Sequence, residues 1–499
     1  MDYVIGSGLA GVACAKALLA RGREVTMLDV GLTLEPGLEA SRAALAAQPP
    51  DRWSAADKAA RNPAMSGGVP ELKLVHGSDY PYRDALGAPS IRIHASGVRS
   101  SHALGGLSNV WGGAMLPYRD ADRETWPVTS ASMSQAYRAV LGYVPLAGRD
   151  DTLAADWPLY ARPVADMPLS RQAASLLGRL EGQRRPGFTA GRARLAVRAQ
   201  SCVACGECLN GCPYDLIYSA RQALPALLAA GMHYQSGISV HAIEDSPGEV
   251  CLHASCGTEK RVIRADRVYV AAGVYSSTGI LMRSLGIERA EILDSQYFLL
   301  PMLQATRTPR PDREAMHTLA QLFIEIEDKR VDPHNVHLQV YGYSSALDAA
   351  MAQRLGPLRG LRRLLLERML VVQGYLHSDS SGKLVATMAD GQLTVTAMPN
   401  PETRRSLKRV VRHLMKMAGS LKAMAVPPLL QETSPGRGFH SGGSFPMRES
   451  PKTGETDSLG RPHGWHRVHV VDASVFPDIP AATISLTVMA NAWRIGHES

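Results

Sequence analysis

The first stretch of the chain, "MDYVIGSGLAGVACAKALLARGREVTMLDVG", dictates a strand, a tight turn, a helix and a second strand. Tyr3 to Ile5 form the first apolar strand, and Gly6, Gly8 and Gly11 turn it into an alanine-rich helix. A second apolar strand, Val25 to Leu28, closes on Asp29. Each glycine has its own mechanical role: a tight turn, close approach of a pyrophosphate to backbone amides, and close packing of helix on strand. The helix N-terminus then faces the phosphates, and Asp29 stands where a carboxylate accepts hydrogen bonds from adenosine ribose hydroxyls. A lone glycine triplet is weak evidence. Framed by strand, helix, strand and acid at this spacing, it specifies a dinucleotide site, for flavin or nicotinamide alike.

A second feature bears on that choice. In "SCVACGECLNGCPYDLIYSA", residues 201–220, four of the chain's seven cysteines fall within eleven residues. Neighbours this close seldom reach disulfide geometry, and the remaining three, Cys14, Cys251 and Cys256, are an odd set. Zinc usually takes two cysteine knuckles a dozen or more residues apart. The run Cys202, Cys205, Cys208, Cys212 followed by Pro213 instead has the spacing of the bacterial ferredoxin motif, which binds an iron–sulfur cluster. Zinc and a cluster-free packed turn are the alternatives. In two-cluster ferredoxins the fourth cysteine of the run serves the other cluster, and this chain has no second run. The fourth corner therefore falls to Cys212, to a remote cysteine such as Cys251 or Cys256, or to none, leaving three irons. A nicotinamide moves hydride in one two-electron step, whereas a cluster takes single electrons, and a flavin joins the two.

The 499 residues suffice for two or three domains, and 45% hydrophobic with 20% charged residues is ordinary for a globular protein. The net charge of +8 is spread along arginine-rich helices and forms no aromatic-interleaved basic block, so no nucleic-acid partner is expected. No run is long and apolar enough for a membrane span, and the strand at Tyr3 leaves no room for a leader, so a cytoplasmic location is expected. Residues 291–435 alternate strand-like runs such as "HNVHLQVYGY" and "KLVATMA" with basic helices such as "PETRRSLKRVVRHLMKMAG". That pattern fits an antiparallel sheet with helices over one face, the usual form of a substrate domain.

The segments "GSGLAG", "ALGGLSNVWGG", "RVYVAAGVYSSTGILMRSLG", "FHSGGSFPM" and "HVVDASVFPDIPAATISLTVMANAWRIG" resemble, in this order, those of the glucose–methanol–choline (GMC) oxidoreductases. The cysteine run resembles that of the family's bacterial FAD-dependent glucose and fructose dehydrogenases and of long-chain alcohol oxidases. The resemblance implies an α/β, Rossmann-like FAD-binding domain with a second, α+β substrate domain on an antiparallel sheet. It divides the chain into FAD-binding parts at 1–127, 201–290 (with the cysteines) and 436–499, a cap insertion at 128–200, and a substrate domain at 291–435. Gly6, Gly8, Gly11 and Asp29 then hold the ADP half of FAD. Gly105, Gly106, Ser108 and Asn109 form the loop under the isoalloxazine, Val240, Ala272 and Gly273 pack the adenine, and Asp472 and Ala473 meet the ribityl chain and pyrophosphate.

His440, Gly443, Ser444 and Met447 fit the family pattern in which the histidine is the catalytic base, and a histidine suits removal of a hydroxyl proton. The family usually carries a second His or Asn where this chain has Thr483. Threonine exchanges hydrogen bonds with a substrate oxygen but is no base, so the load falls on His440. His463, His466 and His469 read as solvated or structural. The expected activity is FAD-dependent dehydrogenation of a CH–OH group in a small-molecule alcohol, sugar, aminosugar or polyol. Electrons then leave through the cluster to a one-electron acceptor protein or quinone. The competing readings are a flavoprotein electron-transfer scaffold, a redox-gated isomerase, and a nicotinamide-dependent dehydrogenase.

Overall fold

The computed structural model describes residues 1–54, 56–57, 65–66, 69–70, 74–181, 186–356 and 358–499. The expected first strand and its partner form as Asp2–Ile5 and Val25–Leu28, joined by helix Leu9–Ala20. They sit inside a five-stranded parallel sheet in the order Val468–Val470, Arg267–Val270, Asp2–Ile5, Val25–Leu28, His233–Gln235. Its strands thus come from both ends and the middle of the chain. Helix Leu9–Ala20 is apolar nearly all round because it is covered on both sides, by this sheet and by the C-terminal helix Ser485–Glu498. The two helices meet closely: a Cβ on Gly496 would lie 2.9 Å from the carbonyl oxygen of Cys14.

A seven-stranded antiparallel sheet makes the second layer, in the order Ala423–Ala425, Tyr297–Gln304, Met369–Tyr375, Val336–Tyr341, Leu322–Ile326, Phe188–Arg192, with Gln431–Glu432 beside Tyr297–Gln304. Alternation along the strands sorts its two faces. Leu322, Ile324, Leu338, Val340, Leu370 and Val372 point one way and pack against helices Arg171–Leu180 and Pro401–Leu421. The long helix carries Leu407, Val410, Leu414, Met417 and Leu421 at alternating three- and four-residue steps, a single stripe aimed at that face. Asn400 caps it by accepting from the Glu402 N–H, and Pro401 occupies the first helical position, where no N–H is needed. Residues in between, Gln339, Tyr341, Gln373 and Tyr375, point the other way, into a cavity.

The two strand-like runs of the middle region enter different sheets. "HNVHLQVYGY" lies in the seven-stranded sheet, whereas "KLVATMA" is strand Lys383–Ala389 of a separate five-stranded sheet, ordered Ser441–Gly442, Arg289–Asp294, Lys383–Ala389, Gln392–Met398, Ile91–His94. This smaller sheet holds the segment that carries His440, through the pairs Leu293 with Gly442 and Asp294 with Ser441. Among the described residues no helix is long and apolar enough to cross a membrane.

Candidate active site

One cavity of about 660 Å³ runs from the N-terminal glycine turn to the polar face of the seven-stranded sheet. The three glycines of the turn divide their roles as their surroundings require. A Cβ on Gly6, where φ is +100°, would lie 2.5 Å from the Ala271 carbonyl oxygen, and one on Gly11 would lie 1.9 Å from that of Gly6. Both positions are closed by protein. Gly8 borders the cavity, and a Cβ there meets no protein atom within 4 Å, so the space beside it is open. Asp29 borders the same end and accepts from the hydroxyls of Ser7 and, at 3.2 Å, Tyr234. Burial pushes its carboxyl up to about 6 despite those two donors.

The Gly105–Gly106 loop lies against this turn: the Gly105 N–H donates to Ser7 Oγ at 2.9 Å, and a Cβ on Gly106 would come within 3.5 Å of Gly8 Cα. Both glycines have left-handed φ, +87° and +57°. Ser108 and Asn109 act on the loop itself. Ser108 Oγ donates to the Gly105 carbonyl and accepts from the Ala220 N–H, while Asn109 Nδ2 donates to the Leu104 and Gly106 carbonyls at 2.9 and 2.8 Å. Val240, Ala272, Gly273 and Ala473 border the cavity. Asp472 ties three segments together: its carboxylate accepts from the Gly273 N–H at 2.9 Å, from Ser277 Oγ at 2.6 Å and from the Ser474 N–H at 3.0 Å.

At the far end His440 borders the cavity and stacks on Tyr375, ring centroids 4.5 Å apart at 20°. Its loop is fastened by Asp294, a residue the sequence reading did not single out. The Asp294 carboxylate accepts from Ser441 Oγ at 2.7 Å and from the Gly436 N–H at 2.9 Å, and Tyr275 OH also meets Ser441 Oγ at 2.8 Å. Burial lifts the Asp294 carboxyl to about 6. Thr483 borders the cavity too. Its Oγ1 accepts the Leu116 N–H at 2.7 Å, so its own proton is directed elsewhere.

The sheet face opposite carries a hydrogen-bond chain that was also missed. Fully buried Glu325 accepts from Asn335 Nδ2 at 2.7 Å and meets His337 Nδ1 at 2.6 Å; Gln339 Nε2 meets His337 Nε2 at 3.2 Å, and Tyr341 OH donates to Gln339 Oε1 at 2.7 Å. Gln373 Nε2 donates to Tyr375 OH at 2.7 Å. Gln339, Tyr341, Gln373 and Tyr375 are thereby held in fixed poses along the cavity wall. The signal was present in "HNVHLQVYGY", where His337, Gln339 and Tyr341 recur at every second residue among valines and leucines. Of the three C-terminal histidines, His469 is a packed core residue, bonded to the Leu459 carbonyl at 3.0 Å and stacked on Tyr269.

Cys202, Cys205, Cys208 and Cys212 all line one small pocket, and all four are free thiols. Cys251 and Cys256 lie elsewhere, on the antiparallel strand Val250–Cys256. Ala204, Gly206 and Gly211 have left-handed φ of +53°, +80° and +89°, which wraps the loop around the sulfurs. Backbone N–H groups point at three of them: Glu207 at Cys205, Thr318 at Cys208, and Tyr214, Leu216 and Ile217 at Cys212. Burial pushes the Cys205 thiol up to about 11 and the Cys208 thiol up to about 12, which keeps both protonated at neutral pH in the absence of a metal. Among the described residues no three of these sulfurs lie within 4.8 Å of one another. Cys208, Cys212, Ile217 and Leu319 border both this pocket and the large cavity, and form the wall between them.

Residues 373–492 match the family model described as GMC oxidoreductase. The fold is similar over 100% of this chain and 98% of the other to the crystal structure of pyridoxine 4-oxidase from Mesorbium loti, with a TM-score of 0.64 and 13% sequence identity. A search of curated proteins finds no match. The chain therefore shares the fold of that structure, a Rossmann-like domain and a second domain on an antiparallel sheet, and its residues 373–492 are similar to the GMC oxidoreductase family model.

Proposed function

We propose that this chain is an FAD-dependent dehydrogenase of a CH–OH group in a sugar, aminosugar or polyol, with an iron–sulfur centre as its electron exit. The observation that carries the reading is the continuity of the cavity, which joins the dinucleotide turn to His440 and shares a wall with the cysteine pocket. The site suits FAD: the open space beside Gly8 fits a pyrophosphate, Asp29 suits the adenosine ribose, and the loop from Gly105 to Asn109 with Asp472 and Ala473 borders the remainder. Bound there, FAD supplies the hydride acceptor. His440 takes the proton of the substrate hydroxyl, and Tyr375 beneath it fixes the plane of the imidazole. Thr483 Oγ1 accepts the Leu116 N–H, which leaves its own proton to donate to the substrate oxygen. The fixed amides and phenols of Gln339, Gln373 and Tyr341 offer hydrogen bonds to further hydroxyls, which favours a polyhydroxylated substrate.

The four cysteines have the donor set and the sequence spacing of an iron–sulfur site and line one pocket, and the centre would supply a one-electron outlet toward an acceptor protein or quinone. Such an outlet favours a dehydrogenase over an oxidase, which hands electrons directly to dioxygen. The test is His440→Ala. It should retain FAD, because the imidazole lies at the end of the cavity away from the glycine turn. Flavin bleaching by a sugar or polyol panel, followed anaerobically by stopped flow, should slow by roughly a hundredfold or more. Bleaching at the wild-type rate would remove His440 from the mechanism, and a panel that never bleaches the wild-type flavin would remove the substrate class.

A further inference from the structure

The cysteine pocket contains a fifth donor. His317 is buried, 1% exposed, and its ring lines the pocket together with the four cysteines. It arrives from a separate segment that packs on the cysteine loop: the neighbouring Thr318 N–H points at Cys208 Sγ, and Thr318 Oγ1 donates to the Gly206 carbonyl at 3.4 Å. His317 Nε2 lies 2.9 Å from the Pro168 carbonyl oxygen. A carbonyl only accepts, so Nε2 carries the proton and Nδ1 of the neutral ring presents a lone pair. Among the described residues Nδ1 has no hydrogen-bond partner, although it is buried. A buried imidazole whose Nε2 donates to a backbone carbonyl, with an unpartnered Nδ1 at a residue that lines the same pocket as four thiols, matches the pattern of a metal-ligating histidine.

We propose that His317 Nδ1 is a ligand of the iron–sulfur centre, which is then held by this imidazole and three of the four cysteines. The inference rests on the iron–sulfur reading of the cysteine pocket. The bond that forms is from the Nδ1 lone pair to iron; Nε2 keeps its proton, and no electron changes hands. One neutral ligand in place of a thiolate makes the centre less negative by one charge and raises its reduction potential, as histidine ligation does in Rieske centres. The arrangement resolves the ambiguity of the ferredoxin-like run in this chain, since the fourth corner is filled from outside the run.

The experiment uses the full chain purified without oxygen, with and without ¹⁵N-labelled histidine, and reads iron content, the hyperfine couplings of the paramagnetic centre and its midpoint potential. The wild type should show a nitrogen coupling of the size of a directly bound imidazole, with the isotope shift on labelling. His317→Cys should keep iron, lose the coupling and move the potential to more negative values. In the series Cys202→Ser, Cys205→Ser, Cys208→Ser and Cys212→Ser, one variant should retain the wild-type iron content and three should lose it. An iron-loaded wild type without the nitrogen coupling would overturn the ligand assignment and leave the cluster standing, as would loss of iron in all four serine variants. Because the labelled wild type reports directly, a His317→Cys chain that fails to fold does not shelter the proposal. An iron-free wild type would instead overturn the cluster reading, and the ligand assignment with it.

Discussion

At the scale of single residues, the proposed FAD site makes cofactor binding depend on pH through Asp29. Burial raises its carboxyl from 3.8 to about 6, with Ser7 and Tyr234 offsetting part of the shift. A raised carboxyl value means that the empty fold prefers the protonated form. That share of stability is fully present below the unfolded value and is lost as pH rises through about 6. Ribose hydroxyls donate to the ionised form, so FAD affinity should move oppositely and grow as pH rises through the same point. Dialysis with flavin fluorescence should therefore find weaker retention at pH 5 than at pH 7, and Asp29→Asn should flatten that slope while weakening binding throughout. A flat wild-type profile would detach Asp29 from the ribose. The strand–turn–helix–strand unit that carries Gly6, Gly8, Gly11 and Asp29 was legible in the sequence because its demands are met locally. Asp294 was not: it acts on Ser441, 147 positions away, and a lone acid at a strand end carries no local sign of that partner.

Among the elements, the strand Met369–Tyr375 carries both the cavity face and the core face of its sheet. Gln373 and Tyr375 border the cavity, and Gly374 between them faces the ring of Phe298 on the neighbouring strand. A Cβ on Gly374 would lie 2.1 Å from that ring and 2.7 Å from Leu338. Phe298 and Leu338 are fully packed, so neither can withdraw without leaving its own site. Gly374→Ala should destabilise the protein by about 1–3 kcal/mol through overpacking, which a thermal melt of the holoenzyme reads as a lower Tm. An unchanged melt would mean that the strand yields at no cost. Alternation along strands made this sheet's existence readable, and the stripe on Pro401–Leu421 made its covering helix readable. Sheet membership was not, because the register that sends Lys383–Ala389 to a different sheet is set by partners at Arg289–Asp294 and Gln392–Met398 rather than by its own residues.

Across the whole molecule, the parallel sheet under the N-terminal glycine turn is completed by Val468–Val470, and the helix Ser485–Glu498 closes over Leu9–Ala20. Ending the chain after residue 465 removes that strand, Asp472, Thr483 and the covering helix together. Such a chain should retain no flavin and should aggregate, as size-exclusion chromatography with absorbance near the flavin band would reveal. A soluble, yellow truncated protein would show the last strand to be dispensable. The same architecture sets a timetable for synthesis. Strand Asp2–Ile5 leaves the ribosome early, but its neighbour Arg267–Val270 follows only after half the chain has been made, and Val468–Val470 almost at the end. Until then an apolar strand edge and an apolar helix wait without their partners, in the state that holdase chaperones recognise and that long-range pairing prolongs. The parallel-sheet layer, begun first, is thus among the last parts of the nascent protein to mature.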